Sequence, residues 1–196
     1  MAVSPSRHVV GICASGPSLT PADVRTLRGM VGQLIVINTT FRLALDADHL
    51  YACDKRWWDV YHKEVAKDFG GARWTYDRQA ATDYGLHHLP GDCQGRGLCR
   101  QPMRIHTGGN SGFQAINLAY HLGATRIILL GYDMQGNTHW HGAHPAGLNN
   151  GHSHYADWRS RLGELAKDLE AEGVEVINAT RDTALTCFRR VVLEKL

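Results

Sequence analysis

His8 to Leu19, H-V-V-G-I-C-A-S-G-P-S-L, is the stretch whose reading decides the fold. An apolar run stops at a Ser-Gly-Pro-Ser turn and passes at once into a helix start. That order describes the first strand of an α/β sheet delivering a small-residue loop to a helix, where a phosphate or nucleotide commonly binds. Gly16 permits backbone angles closed to other residues and the close approach of a ligand. Ser15 and Ser18 place hydroxyl groups on either side of Gly16 and Pro17. Immediately beyond, Thr20-Pro21-Ala22-Asp23 supplies a capping hydroxyl, a proline at the first helical position and an acid in the first turn. A helix is therefore predicted from about Pro21 to Met30.

The rest of the chain repeats this alternation. Gln33 to Asn38 (Q-L-I-V-I-N) is a short β-branched run with Asn38 at its carboxyl end. His49 to Cys53 predicts a third strand, after which Asp54 caps a helix whose Trp57 and Trp58 pack against the sheet. Ala72 to Tyr76 and Gly85 to His88 predict shorter strands. Pro90 to Arg104 has no apolar period and predicts a mobile glycine-rich loop. Thr107 opens a second device, T-G-G-N-S-G, followed by a helix carrying Phe113, Ile116, Ala119 and Tyr120 and closed by Gly123. Arg126 to Leu130 is the most apolar strand and delivers Gly131-Tyr132-Asp133 to its end. Asp157 to Glu172 predicts an amphipathic helix, and Val174 to Asn178 a last strand. Strands alternating with helices define a single doubly wound, Rossmann-like α/β domain with a mainly parallel sheet.

Bulk properties narrow the class. The 196 residues fit one domain spanning 1–196, and 21 basic against 19 acidic residues give a formal charge of +2. Nucleic acid is not implied by charge. No apolar run approaches a membrane span or the core of a signal peptide, so no membrane partner and a cytoplasmic location are expected. The five cysteines are odd in number, scattered and without a C-x-x-C pair, which argues against a disulfide framework.

In an open parallel sheet, ligands bind beyond the carboxyl ends of the strands. Ser15 to Ser18, Asn38, Asp54, Gly108 to Gly112 and Asp133 all fall at such ends. The Gly108-Gly109-Asn110-Ser111-Gly112 turn offers backbone N–H groups at a helix start, which suits an anionic phosphate; a glycine turn needed only for packing is the alternative. Neither G-x-x-x-x-G-K-[ST] nor G-x-G-x-x-G after the first strand is present, which speaks against Walker-type phosphate transfer and a standard nicotinamide site.

Residues 134–156 form a connection far longer than the two to six residues or so usual in α/β units, and are expected to act as a lid. Five of the twelve histidines fall there: His139, His141, His144, His152 and His154. Histidines at this spacing can converge on a metal, with Asp133 completing the site. Alternatively, one histidine acts as general base while others contact a phosphate or sugar, and no metal is needed; this is the preferred reading. A solvated histidine-rich loop is the third.

G-I-C-A-S-G-P-S-L, V-I-N-T-T-F, the N-S-G helix and R-I-I-L-L-G-Y-D together resemble the bacterial sialyltransferases that use a cytidine-monophosphate donor, and related proteins of phage genomes and surface-glycan loci. The strand and Gly-Pro-Ser pattern is also similar to archaeal-type hydroxymethylpterin pyrophosphokinases. The resemblance covers about His8 to Asp133 and, more loosely, the histidine loop. It implies that Ser15, Gly16, Pro17 and Ser18 surround the donor phosphate and ribose, that Asn38 contacts the nucleotide, and that Ser111 and Gly112 match a Ser-Gly pair there, with Asn110 where threonine is commoner. Asp133 matches a Gly-x-Asp, and Ser153-His154-Tyr155 a segment whose histidine is the base. Gln135 and His141 stand where two tyrosines would steady the leaving phosphate.

The expectation is thus a nucleotide-dependent transferase, glycosyltransferase-like, with a nucleotide or nucleotide-sugar donor, which the resemblance implies to be CMP-linked. His154 would be the base, His141 and Asp133 would assist, and self-association is possible. The alternatives are pyrophosphoryl transfer from ATP, with magnesium on Asp54 and Asp133, or a non-catalytic nucleotide-binding protein of phage type.

Overall fold

Val9–Cys13 forms β1, as its apolar run predicts, and β1 lies inside an eight-stranded sheet. The structure is a computed structural model that describes residues 8–136, 138–145, 147–148 and 154–196. After β1 come α1 (Pro21–Arg28), β2 (Gln33–Ile37), a 3-10 helix (Asn38–Leu43), β3 (His49–Tyr51), α2 (Lys55–Asp68) and β4 (Ala72–Thr75). Then follow α3 (Arg78–Tyr84), β5 (His87–His88), β6 (Gly91–Asp92), β7 (Ile105–His106), α4 (Ser111–His121) and β8 (Arg126–Leu130). The chain ends with α5 (Tyr155–Ala171), β9 (Glu175–Asn178), β10 (Arg189–Arg190) and a 3-10 turn (Leu193–Lys195).

The sheet runs β10-β9-β8-β1-β2-β3-β4-β5 and every pairing in it is parallel. From β1 the chain winds outward to β5, then returns to β8 on the other side of β1 and winds outward again. The reversal puts a topological switch point between β1 and β8, and the fold is doubly wound in the Rossmann-like manner.

Alternation along the strands builds two cores. Val10, Ile12, Ile35, Ile37, Ile127 and Leu129 face α4 and α5, meeting Phe113, Ile116, Leu162 and Leu165. Cys13, Leu34, Val36, Ile128 and Leu130 face the other side, meeting Val24, Leu27, Trp57, Trp58 and Val65. Each large apolar side chain fully buried this way stabilises the fold by roughly 1.5–3 kcal/mol. Trp57 and Trp58 pack helix on sheet as expected, with Trp58 Nε1 donating to the Ala52 carbonyl at 3.0 Å.

The cap predicted for α1 forms in full: Thr20 Oγ1 accepts the Asp23 N–H at 3.2 Å, and Asp23 accepts the Thr20 N–H at 3.3 Å. The helix ends at Arg28, short of Met30. Asp54 is the residue before α2, but its side chain makes no capping hydrogen bond. All five cysteines are free thiols. Among the described residues no helix is long and apolar enough to cross a membrane.

The segment expected to be a mobile loop is corrected by the structure. Residues from Pro90 to His106 open and close with the parallel pair β6–β7, and the part between them is strapped to α4 and α5. The Leu98 N–H donates to Asp168 at 2.8 Å and the Cys99 N–H to Asn117 at 3.1 Å, while Arg96 pairs with Glu164 and Arg100 with Glu172. Leu98 and Cys99 are buried. Backbone groups of an aperiodic segment find side-chain partners here instead of water, a pattern that hydrophobic periodicity does not register.

Candidate functional site

The loops leaving β1, β2, β3 and β8 meet at one edge of the sheet. In-register pairing of Cys13 with Leu130 brings Ala14 and Gly131 side by side, and the Gly16 N–H donates to the Gly131 carbonyl at 2.9 Å. Packing there leaves no spare volume, since a Cβ on Gly16 would stand 1.9 Å from Asp133 Oδ1 and 2.5 Å from the Gly131 oxygen. Gly16 therefore serves close approach of the chain's own groups, and its φ lies outside the left-handed region.

The hydroxyls of this first loop face protein partners. Ser15 Oγ donates to the Ile37 carbonyl at 3.4 Å and shares a 3.0 Å hydrogen bond with Thr40 Oγ1. Ser18 Oγ accepts the Asp182 N–H at 3.4 Å, and the Ser18 N–H donates to Asp133 Oδ2 at 2.9 Å. Pro17 is exposed. Asp133 is 2% exposed and its Oδ1 has no hydrogen-bond partner. Burial pushes this carboxyl above its ordinary range, against the pull of the Ser18 hydrogen bond.

Asn38, at the end of β2, has φ 50°, a left-handed conformation that asparagine tolerates better than most residues and that recurs at functional sites. Asp54, at the end of β3, is exposed.

The glycine-bearing turn at the start of α4 sits on the same edge. Ser111 Oγ accepts the Cys53 N–H at 3.1 Å, and the Tyr132 hydroxyl donates to the Gly112 carbonyl at 3.0 Å. Ser111 and Gly112 are thus tied to the ends of β3 and β8 at once, on the same edge of the sheet as the loop that carries Ser18. Asn110 Oδ1 caps α4 by accepting the Phe113 N–H at 2.9 Å, while its Nδ2 is buried without a partner. The first-turn N–H groups of α4 have no intrahelical acceptors, and no acidic side chain stands in that turn.

The amino end of α5 lies beside Met134 and Gly109 on this edge. His154 is exposed and its ring stacks on Trp158 at 5.9 Å between centroids. A Cβ on Gly109, which has φ 80°, would lie 3.2 Å from Trp158 Nε1. Arg159 donates to the Met134 carbonyl at 2.8 Å and holds the helix end beside Asp133. Burial and then the Asp133 charge raise the Tyr155 phenol. By helical spacing Trp158 falls on the same amphipathic face as Leu162, Leu165 and Leu169. Those leucines are buried and Trp158 is not; its place in the first turn of α5 was the available signal.

The histidine-rich loop folds over the ends of β1 and β2. The Trp140 N–H donates to the Ser15 carbonyl at 3.2 Å and its ring Nε1 to Thr40 Oγ1 at 3.1 Å. His139, His141 and His144 gather, with ring centroids 4.4–5.2 Å apart. Burial first, then the neighbouring imidazoles, push His141 and His144 down to about 4. Gln135 instead reaches Asp182 at 2.8 Å, and Asp133 is not among the groups clustered with the three imidazoles. His152 and Ser153 lie outside the described residues.

Fold and edge together define a doubly wound α/β domain whose β1, β2, β3 and β8 loops gather at the carboxyl ends of the strands. Comparison with protein-family models, curated proteins and solved structures finds no match to the chain.

Proposed function

We propose that the protein is a cytoplasmic, nucleotide-dependent transferase of glycosyltransferase-like type. One observation carries the reading: Trp158 bridges His154 to Gly109, so a titratable imidazole stands beside the amide-rich start of α4 although the two are far apart in the chain. A phosphate on the N–H groups of Ser111 and Gly112 would sit in the field of the α4 dipole. The unpartnered Asn110 Nδ2 is a further donor at the same turn.

In the transfer, an acceptor hydroxyl oxygen attacks the sugar carbon and His154 takes the hydroxyl proton. The bond from that carbon to the donor phosphate breaks, and the nucleoside phosphate leaves with the electron pair. The donor is a nucleotide sugar, with a CMP-linked sugar the first to try. Asn38 and Asp54 stand at neighbouring strand ends, where the nucleoside would lie.

Calorimetric or thermal-shift titration with nucleoside mono-, di- and triphosphates and nucleotide sugars tests the reading, because a ligand that binds only the folded state raises apparent stability. Stabilisation by a nucleotide that Gly109→Trp weakens is expected. A melting curve unmoved by every nucleotide tried removes the proposal.

A further inference from the structure

His139, His141 and His144 fall within the short run H-W-H-G-A-H. Spacing alone does not bring them to one point; the turn between them does. Gly142 takes φ 85°, its N–H donates to the His139 carbonyl at 3.0 Å, and His139 and Gly142 form an isolated bridge. That reversal stacks His139 on His141 and tilts His144 against both. One ring nitrogen from each lies within 4.8 Å of the other two.

Three imidazoles holding one tetrahedral ion at about 2.0–2.1 Å have nitrogens roughly 3.4 Å apart, so modest side-chain rotation closes the set. His141 Nε2 and His144 Nδ1 are buried without a hydrogen-bond partner, an unfavourable state that a coordinated cation would relieve. No carboxylate belongs to the group, and the charge of Arg42 reaches His141. An all-nitrogen donor set of this kind disfavours magnesium and calcium, which take oxygen ligands, and suits zinc and its neighbours among the transition metals.

We propose that His139, His141 and His144 bind one divalent transition-metal ion of the zinc class, leaving its fourth position open to water or an incoming ligand. The proposal parts from the metal-free expectation drawn from the sequence. Three protein ligands with an open position is the arrangement of catalytic zinc sites. Trp140, between two of the ligands, hangs the site on Ser15 and Thr40 and so on the carboxyl edge of the sheet. Metal binding stands independently of the nucleotide reading.

The test uses the untagged full-length chain, stripped with chelator and titrated with Zn²⁺ in competition with a chromophoric chelator, and separately with Co²⁺. One ion per chain is expected, with the visible absorption of four-coordinate Co²⁺. His141→Ala and His144→Ala should each weaken Zn²⁺ binding by more than the roughly 10–100-fold that loss of an outer-shell partner costs, while His62→Ala and His121→Ala should bind as the unaltered chain does. Melting of the metal-free variants separates lost ligands from lost fold. Where a variant melts early, the Co²⁺ spectrum of the unaltered chain decides, and a six-coordinate spectrum overturns the site. So does sub-stoichiometric Zn²⁺ binding, unchanged affinity in His141→Ala and His144→Ala, or loss of binding in His152→Ala instead.

Discussion

Asp133 accepts the Ser18 N–H at 2.9 Å across the point where β1 and β8 part, so the chain's own carboxylate occupies the amide of the first loop. The fold raises this carboxyl above its unfolded value. The charged form is therefore disfavoured in the native state. The resulting penalty is present in full above the folded pKa and is relieved as pH falls through it toward the unfolded value. Asp133→Asn keeps an acceptor for Ser18 and removes the charge. It should be more stable than the unaltered chain at pH 7, with the advantage shrinking toward pH 4. Urea unfolding at the two pH values checks this, and a less stable variant at pH 7 contradicts it.

Gly16→Ala places a methyl group against Asp133 Oδ1 and the Gly131 carbonyl. A loss of about 1–3 kcal/mol or more is expected from such overpacking. Adding Asp133→Ala should recover part of it, because only one of the two collisions is then removed. Strictly additive effects in denaturant melts would argue against the contact.

Ser111→Ala leaves the Cys53 N–H buried without its acceptor. The expected cost is about 1–3 kcal/mol. Hydrogen exchange at Cys53 should accelerate with it; unchanged protection there would show that the serine does not tie β3 to α4.

Arg181 donates twice to Asp23, at 2.7 and 2.5 Å, and Asp23 is 3% exposed. Burial raises the Asp23 carboxyl, but hydrogen bonds from Arg181 and Thr20 outweigh it and hold the group below its usual range. A depressed folded pKa contributes stability above the unfolded value of about 3.9 that disappears as pH falls through the folded one. Arg181→Met should destabilise the protein at pH 7 and progressively less in acid. A gap that stays constant to pH 2 would rule out the linkage.

For the proposed transferase, His154→Ala should reduce turnover by roughly a hundred- to ten-thousand-fold while leaving nucleotide affinity intact. Steady-state turnover measured beside equilibrium binding checks it. Unchanged turnover removes His154 as the base.

Strands β1, β2 and β8 were legible because each is a nearly continuous apolar run, as buried parallel strands are, and β9 because Val174, Val176 and Ile177 follow directly on an amphipathic helix. The α1 cap was legible because its chemistry is local to four residues. By contrast, β6 and β7 have two residues each and no period, and their pairing depends on a strap held by Asn117 and Asp168 from distant helices. At the candidate site, the strand-end positions could be seen, but not which serines would turn inward. Ser15 Oγ bonds to Thr40 and Ser18 Oγ accepts the Asp182 N–H, partners set by tertiary neighbours that the sequence does not display. Likewise, the histidine spacing was visible while the left-handed Gly142 that converges three of the rings was not.

The strap's backbone is fastened to α4 and α5 through the Cys99 and Leu98 amides, while Arg96 and Arg100 beside them stay exposed. Trypsin cutting after Arg96 and Arg100 therefore reports how often that segment undocks from the two helices.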